Sequence, residues 1–587
     1  MDDKRRTDAA AEAANLPPTG DCAPAGASAA MVGGSSPTAP PADDHARHAE
    51  RERFFGAAKL VAGITLLSRF AGLARDLVQS WMFGAKFTND AFNTAFAMPN
   101  FFRRLFGEGA LSAAFVPVFS EIMELHGRQK AAALLANVLG LLGLVLAVLC
   151  LLVESGLLVA YLLTPDDNAS RQLVLIYAAV MMPFMVTICL LALGSAALNC
   201  VGHFAYPAAA PIVLNLGIVA ANIWLAPLFR GTGVQLGVVA ASVVVSGVLQ
   251  LVFLVWVLKA HNLPFIPRLF PVHPGLRKML TLMLPMLIPL GLLQFNAMID
   301  KPMALYFTAT KDSPTLTVMG RTYPRPLKEG SVTEVVNAER LYQFPLGVLV
   351  TALGTAVFPL FARYAARGEH DNLRHVVNRA LRLALFEGLP SGVGLMILAE
   401  PLMVTLFSRG NYTRANAAEA AHVLRFYGAG VWAFCAQQIL LRAFYAQKDT
   451  KTPLRVACAL VGVNFLLNIS LLWIPAIRQG VFGLSTTITG SVNVLILAVI
   501  LRRRMGRLGL TSLLASAGRT LLATGAMAAV VWAVTGLMTR IGLGSSAMLL
   551  CAGIPAGIAA FFLACVLLRA PEITELLARG KTSQVTK

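Results

Sequence analysis

Residues 131–163 read AAALLANVLGLLGLVLAVLCLLVESGLLVAYLL. A run this long and apolar exceeds the roughly 20 residues that carry a helix across a hydrocarbon layer of about 30 Å. It lacks the alternation of a barrel strand. In lipid the backbone must satisfy its own polar groups, so the run is read as a helix. Similar runs recur on both sides of it. The chain has 587 residues, 57% of them hydrophobic and only 13% charged, with a mean hydropathy of +0.67. Soluble chains are roughly 25% charged. The expected fold is therefore an all-α polytopic membrane protein of about 14 transmembrane helices. They are placed at 55–82, 89–120, 131–163, 172–198, 208–226, 234–258, 279–307, 332–362, 383–407, 416–446, 456–474, 481–501, 520–538 and 546–568.

Residues 1–53 are rich in Ala, Pro, Ser and Asp and are read as a disordered cytoplasmic tail. No cleavable signal peptide is expected ahead of the first run. Seven of the eight cysteines lie inside apolar runs, Cys22 being the exception, and no metal-ligand or disulfide spacing appears. The formal charge is +19. It is unevenly placed. Lys and Arg favour the loops on the side of both termini by more than two to one, which puts both termini in the cytoplasm. A basic surplus of that kind suits an anionic lipid surface, not nucleic acid.

Nine cations remain inside spans: Lys59, Arg69, Arg75, Arg103, Arg104, Lys301, Arg340, Arg425 and Arg442. Each costs about 2.5–3.5 kcal/mol at a helix centre on insertion scales. Those near span ends, such as Lys59 and Arg442, can snorkel. The others call for a polar interior cavity.

The halves of the chain resemble each other. GALSAAFVPVFSE (109–121) matches ALGTAVFPLFARY (352–364), and GHFAYPAAAPIVLNLGIVAAN (202–222) matches KDTKTPLRVACALVGVNFLLN (448–468). Pro117 and Pro359, Pro207 and Pro453, and Gly237 and Gly483 are separated by nearly the same interval. Six spans lie between the copies, so both share one orientation. This predicts two six-helix lobes related by a pseudo-two-fold axis along the membrane normal, with the substrate between them. The N-lobe is 54–258 (spans 1–6), the cytoplasmic linker 259–278, and the C-lobe 279–501 (spans 7–12, with a polar periplasmic loop at 308–331). Residues 502–568 carry spans 13 and 14, and 569–587 form a cytoplasmic C-tail.

The charges concentrate in spans 1, 2 and 8. Arg69 and Asp76, seven apart, share a helix face, while Arg75 sits about 100° round from Asp76. Asp90, Arg104 and Glu108 would form one stripe on an ideal helix. Arg104 and Glu108 are an i,i+4 pair, with Pro99, Gly107 and Gly109 nearby to bend the helix. Glu339-Arg340 precedes Phe344-Pro345, where a helix should break. Arg69, Arg103 and Arg340 are the expected substrate ligands, because guanidinium forks bind phosphate oxygens bidentately. Asp76, Asp90, Arg104, Glu108 and Glu339 are read as gate or ion-pair residues. Asp300 is expected to be neutralised by its neighbour Lys301.

The motifs SRFAGLARD (68–76), NDAFNTAFAMPNFFRRLFGEGALSAAFVPVFSE (89–121) and NAERLYQFPLGVLVTALGTAVFPLFAR (337–363) resemble the MurJ (MviN) family of lipid II flippases, in the multidrug/oligosaccharidyl-lipid/polysaccharide exporter superfamily. The likeness covers roughly residues 55–570. It implies a V-shaped cavity opening alternately to cytoplasm and periplasm in a bacterial inner membrane. The cargo would be lipid II, an undecaprenyl-pyrophosphate-linked glycopeptide held by Arg69, Arg75, Arg103 and Arg340. The last two spans would form a groove for its lipid tail. The cell-wall synthesis machinery is an expected partner. Some relatives bind sodium near spans 7, 11 and 12; here Asp300, Asn464, Asn468 and Thr487 are the matching ligand candidates. Membrane potential is the alternative driving force, and no other cofactor is expected. Two features depart from the family: the long polar 308–336 segment, and Gln343 where many relatives carry an acid.

Other readings are an exporter of drugs or of another lipid-linked glycan, a drifted scaffold, and a membrane enzyme. A cationic-drug exporter should present acids in its cavity. An enzyme needs positioned acid, base or metal ligands, and the nine histidines lie mostly in tail and loops.

Overall fold

The computed structural model describes residues 44–165, 168–263, 265–318, 320–347, 351–506 and 509–573. The chain divides into two compact units, Met1–Ala58 and Lys59–Lys587. In the first, the described residues belong to the start of the first helix.

The helices are α1 (Asp44–Phe83), α2 (Phe87–Phe102), a π-helical turn (Arg103–Gly109), α3 (Ala110–Leu162), α4 (Ala169–Met181), α5 (Phe184–Cys200), α6 (Ala205–Ala220), α7 (Thr232–Ala260) and α8 (Pro274–Tyr306). A hairpin of β1 (Thr315–Val318) and β2 (Arg321–Pro324) follows. Then come α9 (Ser331–Pro345), α10 (Thr351–Ala366), α11 (His370–Ile397), α12 (Ala399–Phe407), α13 (Arg414–Ala446), α14 (Lys451–Leu471), α15 (Val481–Met505), α16 (Leu510–Arg540) and α17 (Ser546–Leu567). Every expected span falls on helix. Nine helices are long and apolar enough to cross a membrane among the described residues, and the molecule is an all-α multi-pass membrane protein.

Several boundaries differ from the sequence reading. Helix α1 begins at Asp44, so residues 44–53 are helical and not part of a disordered tail. Residues 1–43 lie outside the described ones. The expected break after span 2 is delayed to Gly127, where φ is 81°. Span 4 is two helices, with Pro183 capping the second. In span 8, α9 runs to Pro345 and α10 from Thr351; Leu346 and Gly347 continue at π-helical pitch, and 348–350 lie outside the described residues.

The polar connection before α9 is ordered, not a plain loop. Strands β1 and β2 pair antiparallel, Thr315 with Pro324 through Val318 with Arg321. Arg325 clamps the root: its guanidinium donates to the Tyr306 carbonyl, to Ser313 Oγ at 3.0 Å and to the Thr315 carbonyl at 3.3 Å. Tyr323 packs edge-on against Trp473 at 6.1 Å. The end of the bundle that carries this hairpin is termed the hairpin end below.

One apolar core spans α2 through α7, and others fill the second half. The prolines and glycines of the sequence repeat fall on equivalent helices: Pro117 on α3 and Pro359 on α10, Pro207 on α6 and Pro453 on α14, Gly237 on α7 and Gly483 on α15. The two halves are not equivalent at α8, which the sequence reading assigned to the C-lobe alone. Leu276, Met279 and Met283 are buried in the N-lobe core, while Met303 and Ala304 are buried in the C-lobe. The linker causes this. Arg268 N–H donates to the Ala136 carbonyl at 2.9 Å, Asn137 Nδ2 to the Arg268 carbonyl at 3.2 Å, and His273 N–H to Asn137 Oδ1 at 2.6 Å. At Gly140 a Cβ would lie 2.5 Å from the Arg268 carbonyl oxygen, so only glycine admits this docking. The start of α8 is therefore tied to α3, and α8 bridges the lobes.

Helices α16 and α17 pack on each other and on α11. Buried Glu572 fixes the segment after them. It accepts from Arg382 at 2.6 Å and from Ser516 Oγ at 2.5 Å.

Candidate functional site

Helices α1, α2, α5, α6 and α7 on one side, and α8, α9, α11 and α12 on the other, enclose a cavity of about 890 Å³. Six cations line it: Arg69, Arg75, Arg103, Arg104, Lys301 and Arg340. No Asp or Glu is among the described lining residues. Spans widely separated in sequence thus deliver the in-span arginines to one hollow.

Two of the described carboxylates stand behind this wall. Asp76 is buried and bridges the lobes. It accepts from Arg75 Nε at 2.9 Å and Nη2 at 2.6 Å, and its other oxygen is 2.5 Å from Arg340 Nε. The sequence argument that adjacent residues point apart does not hold for Arg75. Its guanidinium folds back along the helix and lies 5.2 Å from the centroid of the Phe96 ring. Asp76 thus positions two arginines without neutralising both.

Glu339 is the second carboxylate. Its oxygen is 3.7 Å from Lys301 Nζ, and it accepts weakly from the Tyr427 hydroxyl at 3.4 Å. This corrects the expected Asp300–Lys301 pair. The two side chains leave α8 about 100° apart. Lys301 turns to Glu339, and Asp300 accepts from Asn468 Nδ2 at 2.9 Å.

Arg103 Nε donates to Asn100 Oδ1 at 3.3 Å. The π turn at Arg103–Gly109 has a different pitch from an α-helix, which removes the simple i,i+4 relation expected for Arg104 and Glu108. The Glu108 side chain lies outside the described ones. Arg69 sits against Gly347; a Cβ there would occupy the guanidinium's place.

Asp90 does not meet Arg104. Fourteen residues of helix put it about 21 Å along the axis, at the hairpin end. There its carboxylate caps α9. It accepts from Gly330 N–H at 2.7 Å, Thr333 N–H at 2.8 Å and Thr333 Oγ1 at 2.7 Å. A carboxylate at a helix N-terminus is favoured by the dipole and by the unpaired N–H groups there. This contact joins the lobes, and others surround it. Asn337 Nδ2 donates to Ser80 Oγ at 3.1 Å, Asn93 Nδ2 to Thr333 Oγ1 at 3.3 Å, Trp81 Nε1 to the Leu406 carbonyl at 3.2 Å, and Asn411 N–H to the Trp81 carbonyl at 2.9 Å. The lobes are closed together at the hairpin end.

Three of the four proposed cation ligands come together. Asn468 Nδ2 also meets Asn464 Oδ1 at 3.2 Å, and Ser485 Oγ donates to Asn468 Oδ1 at 2.5 Å. Thr487 is not among them: its hydroxyl donates to the Phe426 carbonyl at 2.8 Å. Position 487 points away from the face that Ser485 and Thr489 share one turn apart. Asn464 Nδ2 reaches both Ser485 Oγ and Thr489 Oγ1 at 3.4 Å.

Asn93, Asn215, Gln250 and Gln294 also line the cavity and were missed from sequence. Asn215 and Gln250 carried a legible signal. Each is an amide near the middle of a mostly apolar span, and such groups face the interior.

A two-lobed helical bundle with a cationic hollow between its halves defines a membrane transporter for an anionic cargo. A family model described as "Lipid II flippase MurJ" matches residues 80–552. The "Probable lipid II flippase MurJ" of Rhizobium meliloti (strain 1021) is 31% identical over 520 residues, covering 86% of this chain and 91% of that protein. The chain belongs to the MurJ family. A solved structure titled "Lipid II flippase MurJ, inward closed conformation" superposes with a TM-score of 0.69 at 21% identity, over 87% of this chain and 99% of that one. An inward-facing multidrug resistance MATE family transporter of the MOP superfamily shares the fold at a TM-score of 0.59 and 14% identity, over 78% and 99%.

Proposed function

We propose that this protein moves lipid II, an undecaprenyl-pyrophosphate-linked glycopeptide, from the cytoplasmic to the periplasmic leaflet of the bacterial inner membrane by alternating access. The carrying observation is the set of six cations around one cavity, with Asp76 and Glu339 as described carboxylates behind it. The guanidinium groups replace water around the pyrophosphate with bidentate hydrogen bonds. In this reading the hairpin end is periplasmic and both termini are cytoplasmic. The closed contacts of Asp90, Trp81 and Asn411 then bar the periplasm while the headgroup enters from the other side. The lobes rock about Pro345 inside span 8 and about the π turn, and the tail stays in lipid along α16 and α17.

The cluster of Asp300, Asn464 and Asn468, with Ser485 and Thr489, presents oxygen donors suited to a hard monovalent cation such as sodium. Bound there, the cation would supply charge that ties α8 to α14 and α15. A drug exporter of the same superfamily is disfavoured, because this cavity would repel a cationic drug.

Replacing Arg69, Arg75 or Arg340 with Ala should abolish rescue of a flippase-depleted bacterium while the protein still reaches the membrane. Full rescue by all three variants would remove the pyrophosphate role.

A further inference from the structure

The charge of the cavity comes from some of its helices and not from others. All six cations come from α1, α2 with its π turn, α8 and α9. The wall built by α5, α6 and α7 offers Ile188, Leu191, Pro211 and Leu214, with just two polar side chains, Asn215 and Gln250. Gln250 is 1% exposed. Its Nε2 donates to the Ala210 carbonyl at 2.5 Å, which fixes the amide's orientation. The Tyr206 hydroxyl donates to the Gln250 backbone carbonyl, so the main chain is held as well. Gln250 Oε1 is left with no donor among the described residues. Buried acceptors in native proteins are almost always paired, with protein, water or ligand. Here the acceptor of a cavity-lining side chain is buried, held rigid and unpaired among the described residues.

We propose that Gln250 reads the glycan of the cargo: its Oε1 accepts a hydrogen bond from a saccharide hydroxyl or amide N–H. This rests on the flippase reading above. The chemistry of the two walls favours it. A pyrophosphate at neutral pH offers acceptors and negative charge, which a bare carbonyl oxygen repels and the arginines attract. A saccharide offers O–H and N–H donors and no charge, which suits a neutral acceptor on an otherwise apolar wall. The two walls are thus complementary to the two parts of a glycan diphosphate. A site that hydrogen-bonds one substrate group discriminates against analogues lacking it, because its own buried group is then left unpaired.

The test uses full-length protein in nanodiscs and two lipids, lipid II and undecaprenyl pyrophosphate, which lacks the glycan. Gln250→Met keeps the length and removes the acceptor. A lost neutral hydrogen bond corresponds to roughly a three- to tenfold change. The expected result is that loss of affinity for lipid II, with undecaprenyl pyrophosphate bound within about twofold of wild type. The retained pyrophosphate binding also shows that the variant is folded. If Gln250→Met binds neither lipid, Gln250→Asn, which withdraws the acceptor by one methylene, decides by the same comparison. Equal loss for both lipids, or unchanged lipid II affinity, overturns the proposal and leaves Gln250 to a structural water. Wild-type protein that binds neither lipid overturns the flippase reading together with this one.

Discussion

Asp90→Asn should loosen the closure at the hairpin end. The carboxylate accepts three hydrogen bonds from the N-terminus of α9, at 2.7, 2.8 and 2.7 Å. An amide of the same shape offers one acceptor oxygen and turns an N–H₂ toward the remaining donors. At least one charge-assisted bond is lost, at about 1.5–3 kcal/mol, and the favourable dipole interaction weakens by about 0.3–1 kcal/mol. Together these amount to about 2–4 kcal/mol. Because the contact joins the lobes, most of that is lost from the closed state alone. Each 1.4 kcal/mol shifts a two-state equilibrium about tenfold, so the open fraction should rise by about thirtyfold or more unless it is already dominant. The readout is Ala97→Cys, a cavity-lining position on α2, in a background whose native cysteines are replaced by serine. A membrane-impermeant maleimide applied from the periplasmic side should label it at least tenfold faster when Asp90→Asn is added. Labelling within twofold of the parent would refute the idea that Asp90 holds the lobes together.

Gly347→Ala should cut transport severely while leaving expression and melting temperature near wild type, because the new methyl takes the place of the Arg69 guanidinium; normal vesicle transport would show that Arg69 has room to act elsewhere. Gly140→Ala should lower stability by about 1–3 kcal/mol, as expected for overpacking, since the Arg268 carbonyl would lie 2.5 Å from the added carbon; a thermal melt checks it. Asp449 lies in the turn between α13 and α14. Burial alone would raise its pKa, but hydrogen bonds from the Thr452 hydroxyl and amide and the Arg504 ion pair outweigh that and hold it at about 2. A depressed carboxylate stabilises the fold fully above its unfolded value near 3.8 and loses that contribution as pH falls through about 2. Asp449→Asn should therefore cost roughly 1 kcal/mol at pH 7, allowing for screening at a surface turn. The gap from wild type should hold down to about pH 5 and narrow below pH 4; a gap that widens with acid would contradict the assignment.

The helices were legible because burial in lipid demands long apolar runs, and the one at 131–163 permits little else. Convergence of the arginines was legible by cost: Arg69, Arg75, Arg103 and Arg340 could not all face hydrocarbon, and all four line the cavity. Pairings were not legible, because they depend on side-chain reach between helices. Asp76 takes Arg75 from its own helix and Arg340 from α9, and Lys301 passes over its neighbour Asp300 for Glu339. The partner of Asp90 was not legible from its helical angle, because position along the axis also decides which residues meet. The sharing of α8 between lobes is set by main-chain hydrogen bonds of the linker at Arg268, which leave no mark in hydropathy. The hairpin at 315–324 hides in a short polar segment whose side chains are mostly exposed, so no buried face sets a pattern.

The most direct measurement is lipid II translocation in vesicles reconstituted with purified protein, comparing wild type with Arg75→Ala, Arg340→Ala and the Arg75→Ala/Arg340→Ala double variant. If the guanidinium pair around Asp76 holds the diphosphate, wild type moves lipid II and each single variant slows it by at least tenfold. The double variant should then fall to the protein-free rate. Translocation by the double variant at the wild-type rate would contradict the account.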